Sequence, residues 1–193
     1  MSTQAANVVS EPPQAETLRY TRTAMILHWL IAVLVAVQWS IGQTIDDMPK
    51  GAVKLDYIGL HLTIGVLIGA ALLFRLGWRA GPGRRLPPAD RGVVHVFAKA
   101  THWGLYVLLA ATVALGITFA LAWGVPIYTI ARIHGFAAGN RGLARALLGW
   151  HGTLADAVLI LAGLHACAAL FHHYVLRDRL LRRMGPALAR PDR

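Results

Sequence analysis

A chain of 193 residues in which 56% are hydrophobic and only 15% are charged is too apolar for an ordinary soluble domain, where about 25% of residues are charged. Its 19 Lys and Arg against 9 Asp and Glu give a formal net charge of +10, and the combination of many apolar and basic residues fits poorly with an intrinsically disordered chain, which needs low hydrophobicity. The composition indicates a membrane protein, and the positions of the basic residues decide whether they serve a nucleic acid or the membrane topology.

Four apolar segments are each long enough to cross the hydrocarbon core of a membrane, which takes about 20 residues. In chain order they cover residues 24–42, 58–78, 102–125 and 151–176. Each segment is predicted to form one transmembrane helix. The predicted fold is therefore all-α, a transmembrane four-helix bundle over residues 19–184 with both termini on the same side of the membrane.

The remaining segments are predicted to be tails and connections. Residues 1–18 are polar and contain two adjacent prolines, which is typical of a disordered tail. Residues 185–193 form a short basic tail at the C-terminus. The third connection, residues 126–149, is the longest, and its Ala- and Leu-rich part over residues 142–148 is predicted to form a short helix at the membrane interface.

The basic residues are distributed unequally across the predicted bundle. Fourteen Lys and Arg lie in the two tails, the second connection and the adjoining helix ends, whereas five lie in the first and third connections. Because basic residues concentrate on the cytoplasmic side of membrane proteins, both termini are predicted to be cytoplasmic. The excess of positive charge is explained by this topology, and no nucleic-acid partner is expected.

Seven of the nine histidines lie within the predicted helices or at their ends. Ionisable residues in a membrane are costly and mark functional sites. His151 and His165 are 14 residues apart, which places them about 21 Å apart along one helix and within about 40° of the same face. His28 lies at the inner depth of His165, and His61 lies at the outer depth of His151. Imidazoles that face each other across a bundle suit axial ligation of haem iron.

Other interpretations of the histidines stay open. A single membrane histidine is often a hydrogen-bonded packing residue, and Gly65 and Gly69, which follow His61 at intervals of four residues, serve close helix packing as readily as a cofactor groove. A zinc or copper site would gather its ligands at one depth, which the separation of His151 and His165 excludes for these two. The single cysteine provides no disulfide and no C-x-x-C-H motif for covalent haem.

The four segments resemble the helices of the prokaryotic cytochrome b561 family, in the strings TRTAMILHWLIAVLVAVQWSIG, LHLTIGVLIGAALLFRLGWR, ATHWGLYVLLAATVALG and WHGTLADAVLILAGLHACAALFHHYVLRDRLLRRM. The fourth string is the most specific. The resemblance implies two non-covalent haem b groups in the cytoplasmic membrane of a bacterium. It implies that His28 and His165 are the axial ligands of the inner haem. The same resemblance implies that His61 and His151 are the axial ligands of the outer haem.

The resemblance is strongest to the superoxide oxidase type of this family. It implies that superoxide is oxidised to dioxygen at the outer side and that ubiquinone accepts the electrons. The basic residues of the third connection could steer superoxide, a small anion: Arg132, His134, Arg141 and Arg145.

Further polar residues are candidates for contacts with haem propionates or quinone: Arg75, Arg79, Lys99, His102 and His172. His95, Lys99 and His102 share one helix face, as they also would at an ordinary solvated helix start. His102 is in addition an alternative ligand of the inner haem. Asp156, the only acid within a predicted span, could orient a ligand imidazole or relay protons.

Two other functions are compatible with these features. The chain could be a cytochrome b anchor subunit that takes electrons from a separate dehydrogenase or a soluble redox partner. It could also be a non-redox transporter that uses its histidines for metal or haem transit. Reduction of the haem by superoxide alone would distinguish a superoxide oxidase from the anchor subunit. A reversible b-type absorption spectrum would distinguish a cytochrome from the non-redox transporter.

Overall fold

Four long α-helices dominate the part of the chain that the computed structural model describes, residues 19–83, 86–87, 92–128, 131–178 and 180–185. The helices are α1 (Arg22–Ile45), α2 (Ala52–Ala80), α3 (Gly92–Phe119) and α4 (Arg141–Tyr174). All four are long and apolar enough to cross a membrane, which confirms the predicted all-α fold with four transmembrane helices. The tails predicted for residues 1–18 and 185–193 lie outside the described residues, apart from Gly185.

The helices run alternately up and down, so that one end of the bundle carries the described ends of the chain. At this terminal end the Tyr20 N–H donates to the Arg183 carbonyl over 3.2 Å, and the Trp29 indole donates to the Met184 carbonyl over 2.9 Å. The Thr21 hydroxyl caps α1 and accepts a second hydrogen bond from the Trp78 indole. The opposite, distal end carries the first and third connections.

The apolar side chains of the bundle are divided between a narrow core and a wide outer surface. Leu27, Ile68, Leu72 and Val158 are buried between the helices. Many other large apolar side chains of all four helices are exposed, among them Leu73. An exposed apolar surface of this extent is typical of a protein surrounded by lipid.

α4 is longer than its apolar segment. Its 34 residues span about 51 Å, whereas the hydrocarbon core of a bilayer is about 30 Å thick. The helix begins at Arg141 because the Asn140 side chain accepts a hydrogen bond from the Leu143 N–H over 3.0 Å and caps the first turn. Residues 142–148 are therefore helical, but the prediction of a short helix of their own is wrong, because they form the distal extension of α4.

The third connection folds back onto the distal end of α3. That helix ends in a π-helical turn, Ala120–Gly124, and a two-residue antiparallel ladder joins Pro126–Ile127 (β1) to Ala131–Arg132 (β2). The last carbonyls of a helix have no partner within it. Here the Leu121 and Ala122 carbonyls accept hydrogen bonds from the N–H groups of Phe136 and Ala137.

Candidate functional site

Two pairs of histidine rings face each other across the bundle. His28 of α1 and His165 of α4, the terminal pair, have ring centroids 6.3 Å apart. His61 of α2 and His151 of α4, the distal pair, have ring centroids 6.0 Å apart. All four side chains are half-buried, and α4 supplies one ring to each pair.

The spacing within each pair suits two ligands on opposite sides of one metal atom. A metal–nitrogen bond of about 2 Å on each side, with each nitrogen a little over 1 Å from its ring centroid, separates the centroids by about 6 Å. His102 of α3 is a third ring near the terminal pair, but its centroid lies only 5.2 Å from that of His165 and its side chain is exposed. The spacing favours His28 over His102 as the partner of His165.

In the distal pair, the His151 ring is held by the backbone of α3. Its Nδ1 donates to the Thr112 carbonyl over 2.9 Å, because a carbonyl oxygen can only accept. This bond places the proton on Nδ1 and leaves Nε2 as the nitrogen that can bind a metal. The ring lies against Gly116, where an added Cβ would come within 2.9 Å of the His151 Cε1 atom.

The His61 ring packs in a similar way against α1. An added Cβ at Gly42 would lie 3.3 Å from the His61 Cε1 atom and 3.8 Å from its Nδ1 atom. The Gln38 side chain donates from Nε2 to the His61 backbone carbonyl over 2.6 Å. The distal pair is therefore enclosed by glycines and hydrogen bonds of neighbouring helices that the sequence did not indicate, although Gln38 is a conspicuous polar residue in an apolar helix.

The residues of both pairs fit haem as a ligand. Each pair offers two imidazoles at the spacing of opposite axial ligands, and Gly42 and Gly116 leave room for the rings of the distal pair. Within the described residues no group of three or more His, Cys, Asp and Glu could hold a metal ion. Each pair could therefore hold one haem iron.

The other basic candidates at the terminal end have different surroundings. Arg75 donates from Nη1 to the Ala24 carbonyl over 2.9 Å and from Nε to the Tyr106 hydroxyl over 3.3 Å, so it ties α2 to α1 and α3. Arg79 and Lys99 are exposed. Within the described residues, none of these three cations forms a hydrogen bond with a histidine of the two pairs.

His172 lies at the end of α4 and contacts Asp178, a residue that the sequence did not single out. The distance from His172 Nδ1 to Asp178 Oδ2 is 2.6 Å, and the other carboxylate oxygen accepts from the Leu180 N–H over 2.9 Å. Burial raises the pKa of Asp178, but the hydrogen bonds from His172 and Leu180 and the charge of Arg183 lower it below its usual range. This hydrogen bond joins α4 to the turn that follows it.

Asp156 contacts α1 and not a ligand ring. Its Oδ1 atom accepts a hydrogen bond from the Trp39 indole over 2.8 Å and a second from the Gln43 amide over 3.3 Å. Gly65 and Gly69 lie against the side chains of Gln38 and Val113, which is the close helix packing considered as an alternative for these glycines.

The basic group of the third connection lies at the distal end. His134, Arg141 and Arg145 are exposed there, and the two arginines are one turn apart on the extension of α4. The side chain of Arg132 lies outside the described part of the chain. The two arginines place positive charge at the exposed surface on the side of the distal pair.

The chain is similar to known proteins over most of its length. Residues 19–187 match the family described as prokaryotic cytochrome b561. The chain is 35% identical to cytochrome b562 of Cereibacter sphaeroides over 173 residues, which cover 86% of this chain and 94% of the relative. It is 32% identical to the probable superoxide oxidase CybB of Yersinia pestis over 173 residues, which cover 87% of this chain and 96% of the relative. It is 29% identical to cytochrome b561 homolog 2 of Escherichia coli over 180 residues, which cover 86% of this chain and 90% of the relative. The chain belongs to the prokaryotic cytochrome b561 family of haem-binding electron carriers in bacterial membranes.

Proposed function

We propose that the protein is a cytochrome with two haem b groups, which passes electrons from superoxide at its distal end to ubiquinone. The observation that carries the proposal is the pair of histidine contacts at two depths, with ring centroids 6.3 Å and 6.0 Å apart and one ring of each pair on α4. When bound, haem b supplies reversible one-electron chemistry. The protein's own part is to hold, orient and shield the two groups.

His28 and His165 would hold the haem of the terminal half, and His61 and His151 that of the distal half. The hydrogen bond from His151 Nδ1 to the Thr112 carbonyl fixes the orientation of one ring. The exposed apolar side chains of the helices keep this region in lipid, where water is excluded.

The proposed orientation places the distal end outside the cytoplasm. Basic residues are concentrated at the terminal end, and the cytoplasmic side of bacterial membrane proteins carries the excess of Lys and Arg. Both termini are then cytoplasmic, and a donor from outside reaches the distal end.

Superoxide as the donor is supported by the name of one relative, a probable superoxide oxidase, and by the basic group at the distal end. Arg141 and Arg145 are exposed there and would raise the local concentration of a small anion. Two superoxide ions lose one electron each and leave as two dioxygen molecules, and one ubiquinone takes up the two electrons with two protons to become ubiquinol. For the quinone we propose the terminal half, where Arg79, Lys99 and His102 are exposed.

A second candidate function is that of a cytochrome reduced by a separate redox protein. It is favoured by exposed aromatic side chains at the distal end, because Phe136 is 76% exposed and Trp150 is 63% exposed. Such residues are enriched where proteins dock.

Anaerobic stopped-flow spectroscopy of the purified protein separates the two functions. Superoxide should reduce the haem, superoxide dismutase should abolish the reduction, and a ubiquinone analogue should then reoxidise the haem. The double variant Arg141→Gln/Arg145→Gln should slow the reduction several-fold at low salt, whereas Arg182→Gln at the terminal end should not. No reduction by superoxide would contradict the first function and favour the second.

A further inference from the structure

We propose that Gln38 is a positioning residue for His61: its side-chain Oε1 atom accepts a hydrogen bond from the His61 Nδ1–H group, directly or through one water, and thereby lowers the redox potential of the haem held by the distal pair. The inference rests on the proposed function, because it takes His61 as an axial ligand. Neither Gln38 nor its amide contact belongs to the sequence-derived site.

Two buried polar atoms that lack partners are complementary. Among the described residues, the buried side-chain nitrogens and oxygens without a hydrogen-bond partner are Gln38 Oε1, His61 Nδ1 and His173 Nδ1. Polar atoms within a membrane-spanning bundle are almost always paired, because lipid offers no substitute for water. Gln38 Oε1 can only accept a hydrogen bond and His61 Nδ1 can donate one, whereas His173 lies on α4 at the terminal end.

The two atoms lie on the same contact between α1 and α2. The Gln38 amide already reaches the His61 residue, since its Nε2 atom donates to the His61 carbonyl over 2.6 Å. Gly42, one turn further along α1, lies against the Cε1–Nδ1 edge of the His61 ring. The Nδ1 edge of the ring therefore faces the stripe of α1 that carries Gln38.

The orientation of the Gln38 amide is determined by chemistry. A backbone carbonyl can only accept, so the atom that contacts the His61 carbonyl must be the nitrogen, and the oxygen is the atom left without a partner. In the proposed contact, a rotation of the Gln38 side chain or one bridging water joins this oxygen to the Nδ1–H group.

The other ring of the distal pair shows the arrangement that His61 lacks. His151 Nδ1 donates to the Thr112 carbonyl, and metal-binding histidines almost always donate their second N–H in this way. The bond raises the basicity of the ligand and stabilises the oxidised metal. With Gln38 as acceptor for His61, both rings of the distal pair have a carbonyl-type oxygen at Nδ1.

Redox titration of two variants of Gln38 tests the proposal. Gln38→Glu keeps an oxygen acceptor for His61 Nδ1–H, whereas Gln38→Met has a similar length and keeps neither the acceptor nor the donor. We expect Gln38→Met to raise the midpoint potential of one haem of the two and Gln38→Glu to leave it unchanged or lower it. The matched control is Gln43→Met, also on α1, because the Gln43 amide donates its hydrogen bond to Asp156 and, among the described residues, forms none with a histidine. This control should shift the midpoint potential of neither haem.

An equal rise of the haem midpoint potential in Gln38→Glu and Gln38→Met would overturn the proposal, because the two variants share only the loss of the Nε2 donor. The absence of any shift in Gln38→Met would also overturn it. If Gln38→Met does not fold, Gln38→Leu is judged by the same criteria. The wild-type haem content separates this proposal from the proposed function: fewer than two haems per chain contradicts the function, whereas two haems with unmoved potentials contradicts only the role of Gln38.

Discussion

A histidine binds a metal through one ring nitrogen, and the partner of its other nitrogen decides how firmly the ring is oriented. His151 has such a partner in the Thr112 carbonyl, and it has a glycine, Gly116, beneath its ring. Single residues of α3 thus hold the orientation of the His151 ring.

The spacing of the terminal rings leads to a prediction that distinguishes two histidines. His28→Ala should lower the haem content of the purified protein by about half, because it removes one of the two rings proposed to hold the haem of the terminal half. His102→Ala should leave the haem content nearly unchanged, since its ring centroid is 5.2 Å from that of His165, less than opposite ligation requires. Pyridine haemochrome assays measure both variants, and loss of haem in His102→Ala with retention in His28→Ala would reverse the assignment.

The close contact beneath His151 leads to a second prediction. Gly116→Ala places a methyl group 2.9 Å from the ring Cε1 atom, so the ring must move and the haem of the distal pair should be retained about 10- to 100-fold less tightly. Gly163→Ala is the matched control, because nothing lies within 4 Å of its added methyl group. Transfer of haem to apomyoglobin measures the retention, and equal transfer rates would show that Gly116 does not support the ring.

At the scale of elements, the third connection depends on the close approach of two glycines. Gly124 has φ +81°, and Gly135 lies directly against the backbone of Trp123 and Gly124. This approach allows the connection to satisfy the last carbonyls of α3, including that of Leu121. The connection is thereby built into the distal end of the bundle.

Gly135→Ala should lower the thermal unfolding temperature of the detergent-solubilised protein, because the added methyl group collides with backbone that cannot give way. A loss of about 1–3 kcal/mol in the free energy of unfolding is the usual range for such a change. Gly139→Ala, in the same connection but with nothing within 4 Å, should not lower the unfolding temperature. Equal unfolding temperatures for the two variants would contradict the packing described for this connection.

The four helices were predictable because length and apolar character suffice for a transmembrane helix. The start of α4 at Arg141 was not predictable from apolar character, because Arg141 and Arg145 lie outside the apolar segment. The helix begins there because Asn140 caps its first turn. The depths of the histidines follow from the rise of a helix. The contacts of Asp156 with Trp39 and of Gln38 with His61 do not follow from the rise of a helix, because they depend on the rotation of each helix about its axis.

For the whole molecule, the outward-facing apolar surface and the four spanning helices indicate a lipid environment. The proposed orientation can be tested with cysteine labelling in a Cys167→Ala background. Lys50→Cys, in the first connection, should react with a membrane-impermeant maleimide in spheroplasts, and Arg182→Cys should react only after lysis, because Lys and Arg accumulate at the cytoplasmic end. Both replaced side chains are exposed. The opposite pattern would invert the orientation and place the distal end in the cytoplasm.

We propose that each histidine pair holds one haem b. The haem b content per polypeptide chain of the purified wild-type protein, by pyridine haemochrome and quantitative amino-acid analysis, tests it most directly. Two pairs with ring centroids 6.3 Å and 6.0 Å apart predict two haems per chain. One haem per chain, or none, would show that the two histidine pairs do not each hold a haem.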